Sequence, residues 1–216
     1  MAAERAKMLT PPQPVSRLFG FDRGTPIDRY YIEGFLQANC ELIHGRVLEI
    51  GDATYTKQFG ANVVQSDVLH AVAGNRKATI VGNLETGEGI SADAFDCIIL
   101  TQVLPFVFDV RAAIANCHHA LRPGGIVLAT VPGISQISRY DMDRWGDFWR
   151  FTDLSARRLF EQSFEDVDVN SFGNVAVATA FLRGLALHEI PADDLEHHDP
   201  DYPVIITIRA RRGADM

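Results

Sequence analysis

The run Arg46-Val47-Leu48-Glu49-Ile50-Gly51-Asp52-Ala53-Thr54-Tyr55 constrains the fold more than any other stretch of the chain. Short runs of branched apolar residues suit strands buried on both faces of a parallel sheet, and a glycine just past the strand end lets the backbone turn tightly beside a ligand. The run therefore reads as a buried strand that opens, at an acid and a glycine, onto a cofactor-type turn. The dinucleotide fingerprint G-x-G-x-x-G needs two further glycines, and Gly51-Asp52-Ala53-Thr54-Tyr55-Thr56 fails it after the first. That failure counts against a nicotinamide oxidoreductase.

Similar strand-like runs recur at Asn62 to Ser66, Ala78 to Val81, Phe95 to Leu100 and Gly125 to Thr130, with two more at Val167 to Phe172 and Val204 to Arg209. Helical spacing appears between them. Tyr31, Phe35 and Leu36 share a face within Asp28 to Cys40, and Val110, Ala113, Ile114, Cys117 and Leu121 share one within Asp109 to Leu121. Arg122-Pro123-Gly124-Gly125 reads as the stop of that second helix. Thr152 reads as the N-cap of a helix ending near Phe164, and a further helix is predicted from Val175 to His188. The acidic stretch Asp193 to Pro203 reads as a loop. Alternation of this kind predicts an α/β chain with a doubly wound, mostly parallel sheet. Pro11-Pro12-Gln13-Pro14 is too proline-rich for helix, so residues 1–44 are expected to form an extended arm and a cap helix, and residues 45–216 the main domain, in one globular unit. The segment Pro132 to Phe151 is long for a loop in a compact domain, which points to a functional role.

Composition narrows the partners. A net charge of −8, with no basic stripe to overcome it, argues against nucleic acid. No apolar run has the roughly 20 residues that a membrane span needs, and the N-terminus has no apolar signal segment, so the cytoplasm is the expected location. The 3 cysteines, Cys40, Cys97 and Cys117, sit in apolar patterns and read as reduced buried thiols. His118-His119, His197-His198 and the pair Asp141 and Asp143 lack a metal partner at convincing spacing, so no metal site is predicted.

Four segments, in order and spacing, resemble the motifs of class I S-adenosylmethionine-dependent methyltransferases. They are Val47-Leu48-Glu49-Ile50-Gly51, then Asp67, then Ala94-Phe95-Asp96-Cys97-Ile98-Ile99, then Ala120-Leu121-Arg122-Pro123-Gly124-Gly125-Ile126. The segments Gly24 to Tyr31 and Tyr140 to Thr152 are also similar to a bacterial group of such proteins often associated with glycosyltransferases. The resemblance implies a Rossmann-like, seven-stranded sheet whose last strand is antiparallel, with a helical N-terminal cap. It also implies S-adenosyl-L-methionine as cofactor.

On that resemblance, Glu49 faces the cationic methionine part of the cofactor; the alternative is that it caps a helix N-terminus, where an acid is also favourable. Gly51 allows close backbone approach. Asp52, where many relatives carry Cys or Gly, either lines the site or crowds it. Asp67 is placed at the end of the second strand as acceptor for the ribose hydroxyls, by the logic that selects an acid about 20 residues on in dinucleotide folds; otherwise it is a turn residue. Asn83, with Leu84, stands where the adenine amino group is received, through the amide oxygen. Thr101 and Gln102 end the fourth strand beneath the cofactor sulfur.

The histidine that many relatives carry a few residues later is replaced by Leu104-Pro105-Phe106. Asp143 or Asp141 is then the candidate base, with Arg29 and Tyr30 holding the acceptor and Trp145 and Trp149 forming either a platform for it or anchors for the loop. The expected activity is O-methylation of a small-molecule or sugar hydroxyl. The competing reading is a non-catalytic binding module that keeps the fold with a degenerate cofactor turn, because fold alone does not fix function. The sequence leaves the oligomeric state open.

Overall fold

The computed structural model describes residues 11–214. The part of the predicted N-terminal arm before Pro11 lies outside the described residues. Strands β1 (Gly45–Ile50), β2 (Val63–His70), β3 (Ile80–Val81), β4 (Phe95–Thr101), β5 (Leu121–Pro132), β6 (Asp166–Phe172) and β7 (Ile205–Arg211) form one 7-stranded sheet of order β3-β2-β1-β4-β5-β7-β6. β1 pairs in parallel with β2 and β4, and β4 with β5, while β7 runs antiparallel to both β5 and β6. This is the doubly wound sheet with an antiparallel last strand that the sequence predicts.

The two-residue alternation of strand side chains sorts the core into two layers. Ile98 and Leu100 of β4 face helices α3 (Val110–Ala120) and α5 (Asp153–Phe160), meeting Ala113, Ile114 and Phe160. Cys97 and Ile99 face the other way, toward Ile27, Ile32 and Leu36 of α1 (Ile27–Ala38) and Val177 and Phe181 of α6 (Val175–Arg183). Both faces of the central strands are dry, which is why their sequence is nearly continuous in apolar residues. Cys97 and Cys117 are free thiols in this core, and burial pushes the Cys117 thiol up to about 12. Such groups are inert packing.

Short helices α2 (Thr54–Phe59), α4 (Arg139–Met142) and α7 (Ala192–Glu196) complete the chain. α7 falls inside the predicted acidic loop. Thr152 caps α5 as expected, its side chain accepting from Ser155 N, but the helix stops at Phe160. α6 ends at Arg183 rather than His188 because Gly184 turns left-handed at φ +74°, hard against the backbone of Ser16.

Two strands run further than their local pattern indicates. The second helix stops at Ala120, just before Arg122-Pro123-Gly124-Gly125 as expected, and β5 starts at Leu121, directly after α3, because Leu121 pairs with Phe95. Gly124 N donates to Arg212 O, and Arg212 donates to carbonyls of His118 and His119 at the end of α3. β2 continues through Val68 and Leu69, both buried, to His70.

Candidate active site

The carboxyl ends of β1, β2, β3 and β4 surround a cavity of about 380 Å³ lined by Gly51, Leu69, His70, Asn83, Leu84, Glu85, Gln102, Phe106, Asp141 and Trp145. Crevices at the strand ends of an open α/β sheet are the usual ligand position. Gly51 shapes its floor. Its φ of +86° disfavours any side chain, and a Cβ there meets nothing within 4 Å, so the space above it is open to a ligand. Its N–H is held by Leu69 O at 2.9 Å and its carbonyl by Asn75 Nδ2 at 2.8 Å, which fixes the turn.

Glu49 lies under this turn and not in the cavity wall. It is 3% exposed and accepts from Tyr55 N at 3.0 Å, Thr56 N at 2.8 Å and the Thr56 hydroxyl at 2.7 Å. The helix-capping alternative is the one the geometry realises: the acid satisfies the first donors of α2. Burial nevertheless raises its pKa against those hydrogen bonds. Asp52 neither lines nor crowds the cavity. It accepts from Thr54 N at 3.0 Å and pairs with Lys77 at 3.2 Å on the surface.

Asp67 is a correction of a different kind. Because β2 runs on to His70, Asp67 stands opposite Leu48, below the rim. Its carboxylate is 5% exposed and is taken by Arg46 Nε at 2.7 Å, Gln65 Nε2 at 2.9 Å and Thr79 Oγ1 at 2.9 Å. The Arg46 guanidinium lies 4.9 Å over the Phe95 ring, which completes a structural network. At the rim itself stands His70, whose ring meets Trp145 edge-on at 5.7 Å.

Asn83 does line the cavity, but its amide oxygen already accepts from Glu85 N at 2.7 Å. Glu85 also lines the cavity, with its carboxylate accepting from Asp109 N at 3.2 Å. Glu85 and His70 were not picked out as donor-site residues from sequence, because their positions depend on where β2 and β3 stop.

A second cavity, of about 280 Å³, adjoins the first and shares Gln102, Phe106 and Asp141 with it. Its wall includes Asp28 and Arg29 of α1, Thr101, Phe19 and Phe21, and Ser135, Gln136, Asp147 and Arg150 of the long loop. Gln102 sits at the junction with a left-handed φ of +54°, uncommon for a residue with a side chain, and its N–H donates to Thr130 O at 2.8 Å. The loop is braced around this wall. Arg150 holds the nearly buried Asp147, Asp147 accepts from Ser138 N at 2.8 Å, and the Ser138 hydroxyl donates to Asp141.

The predicted acceptor and base residues divide. Asp141 and Arg29 face the second cavity, and Trp145 faces the first. Asp143 is exposed at the end of α4 and lines neither. Tyr30 packs edge-on against Tyr31 at 5.2 Å and also lines neither. Trp149 is a loop anchor: its indole N–H donates to Val107 O and Phe108 O at 3.1 and 3.2 Å, and its ring lines a separate 550 Å³ depression. Asp28, which sequence pattern placed only at the start of a helix, is the residue missed. It is 8% exposed, and its Oδ1 has no hydrogen-bond partner.

The fold is that of a class I methyltransferase. A family model described as a methyltransferase domain matches residues 19–166, and the chain belongs to that family of S-adenosylmethionine-dependent methyltransferases. No curated protein matches the chain significantly.

Solved structures align along most of its length. The N-methyltransferase NodS of Bradyrhizobium japonicum WM9, in complex with S-adenosyl-L-homocysteine, aligns with a TM-score of 0.55 at 15% identity, over 88% of this chain and 89% of that one. An S-adenosylmethionine-dependent methyltransferase of Mesorhizobium loti aligns with a TM-score of 0.56 at 17% identity, over 86% and 98%. Phosphoethanolamine N-methyltransferase 2 of Haemonchus contortus, in complex with S-adenosyl-L-methionine, aligns with a TM-score of 0.55 at 13% identity, over 85% and 52%. Among the described residues no helix is long and apolar enough to cross a membrane.

Proposed function

We propose that this methyltransferase acts on a hydroxyl oxygen of a small polar molecule or sugar, with Asp141 receiving the proton. The observation that carries the reading is the junction of the two cavities at Gln102, Phe106 and Asp141, which puts one carboxylate on a wall common to both. S-adenosylmethionine, when bound, supplies a methyl group on a cationic sulfur that leaves readily. Gly51 fits it because the space above that residue is open, and His70, Leu84 and Glu85 are the side chains available to its nucleoside part.

The protein's contribution is then mainly positional, since fixing two reactants in line supplies much of the acceleration. A hydroxyl near neutral pH also gains from a base within hydrogen-bond reach. Asp141 has the Ser138 hydroxyl as donor and, among the described residues, no cation within ion-pair distance, so its carboxylate is not committed to an ion pair. The rings of Phe19, Phe21 and Phe106 beside Ser135 and Gln136 suit a ligand with both an apolar face and hydroxyls. The narrower likeness to glycosyltransferase-associated proteins supports a sugar.

The test is transfer of labelled methyl from S-adenosylmethionine to a panel of free sugars and small alcohols, followed by Asp141→Asn with the acceptor found. The variant is expected to lose roughly 100-fold in turnover, with S-adenosylhomocysteine affinity unchanged. Transfer only to amines, or full turnover by the variant, overturns the assignment.

A further inference from the structure

A third cavity, of about 350 Å³, opens between the N-terminal arm, the end of α6 and the long loop. Arg17, Arg139 and Arg183 line it, and no acid does. The chain carries 28 acidic residues against 20 basic ones, so three cations and no carboxylate around one space invert its overall charge locally. Among the described residues, none of the three has a carboxylate within ion-pair distance. Like charges that share a cavity repel one another, and a multivalent anion between them removes that cost.

These arginines are far apart in the chain, and backbone hydrogen bonds hold their segments together. Val15 N and Ser16 N donate to Arg183 O at 2.8 and 3.2 Å, and Gln136 Nε2 donates to Arg17 O at 2.8 Å. Arg183 Nη1 donates to the Pro11 carbonyl at 3.3 Å, a neutral partner that leaves its charge uncompensated. Arg17 and Arg139 are exposed. The walls are fixed while the charged ends remain uncommitted.

The number and type of cations define the anion. A carboxylate brings a single charge, whereas a phosphate ester brings about −1.5 to −2 and a diphosphate more. Guanidinium forks also match phosphate oxygens in bidentate fashion. Position relates the anion to the acceptor. Gln136 lines both this cavity and the second one, where Asp141 stands, and Arg17 and Arg139 are close in sequence to Phe19 and Ser138 of the second cavity's wall. The first cavity, at the donor turn, shares no lining residue with the arginines.

We propose that Arg17, Arg139 and Arg183 form an anion site for a phosphate or diphosphate group carried by the methyl acceptor. The proposal rests on the reading of the second cavity as the acceptor's, and it narrows that acceptor to a phosphorylated compound. A substituent that leaves the second cavity past Gln136 meets the arginines, with the methylated group left beside Asp141.

The experiment is calorimetric titration of the whole chain with inorganic pyrophosphate. Saturable one-to-one binding is expected, weakened roughly 10-fold or more by Arg17→Gln and by Arg139→Gln, the size of a lost charge-assisted contact. Thermal melting and S-adenosylhomocysteine titration of each variant verify that it is folded. In turnover, pyrophosphate is expected to raise the KM of the acceptor found by methyl transfer and to leave that of S-adenosylmethionine within about twofold. Sedimentation with phosphatidylglycerol vesicles separates the two sources of the group. Co-sedimentation that pyrophosphate competes away assigns it to a lipid headgroup, and a chain left in solution assigns it to a soluble ester. No saturable pyrophosphate binding, unchanged affinity in both variants, or an acceptor KM that pyrophosphate does not move overturns the anion site and leaves the hydroxyl reading standing. Transfer only to amines, with pyrophosphate still competing against the acceptor, overturns the hydroxyl reading and keeps the anion site.

Discussion

The β1 turn and the start of α1 each bury one acid, and the two are held in opposite ways. Glu49 is enclosed by three donors from α2, so its carboxylate is part of the scaffold. Asp28 is nearly as deeply buried, at the wall of the second cavity, yet its Oδ1 is sealed from solvent without a hydrogen-bond partner. Burial raises the pKa of both. What separates them is whether the protein itself supplies the partners. An acid satisfied internally fixes a turn, whereas a buried acid with an unpaired oxygen costs stability.

That contrast can be broken by substitution. Glu49→Ala removes the acceptor for the first N–H groups of α2, and a loss of about 3 kcal/mol is expected in urea unfolding. A loss below about 1 kcal/mol would mean that water replaces the carboxylate and that Glu49 is not scaffold.

Asp67→Ala is the next largest, at about 2 kcal/mol, since it strands Arg46 against Phe95 and frees Gln65 and Thr79. S-adenosylhomocysteine affinity should stay at the parent value once folding is accounted for. A selective loss of affinity would restore the ribose role that sequence spacing suggested.

Asp28→Asn gives the smallest effect and the opposite sign. A carboxyl whose folded pKa is raised contributes stability that is full below its unfolded value, near 3.8, and is lost as pH rises through the folded value. The asparagine variant is therefore expected to melt above the parent in mildly alkaline buffer, with the gap closing as pH falls toward 3.8. A variant that melts lower at every pH would show that Asp28 has a structural partner.

The sheet was legible in the sequence because burial on both faces writes itself into local composition. Val47-Leu48, Ile98-Ile99 and Val127-Leu128 are apolar in succession for that reason, and the strands they mark are where they were expected. Gly51 was legible too, since a turn at positive φ leaves few alternatives to glycine. The β2 end was not. The apolar pair Val68-Leu69 after Asp67 extends the strand to His70, and the register Asp67 to Leu48 then lowers the acid below the rim. A displacement of three residues along the strand is enough to move a carboxylate from ligand to scaffold.

The acid at Asp28 illustrates the other limit. From sequence it is an ordinary first-turn acid in α1, a position favoured by the helix dipole alone. Its meaning arises only when α1 packs over the strand ends and α4 with its flanking loop closes beside it, bringing Asp28, Arg29, Gln102 and Asp141 around one space. Local sequence, through apolar periodicity and one obligatory glycine, determined that this chain builds a methyltransferase sheet with a donor turn. Tertiary packing decided which acids have partners and which line a cavity, because burial and pairing are set by residues distant in the chain.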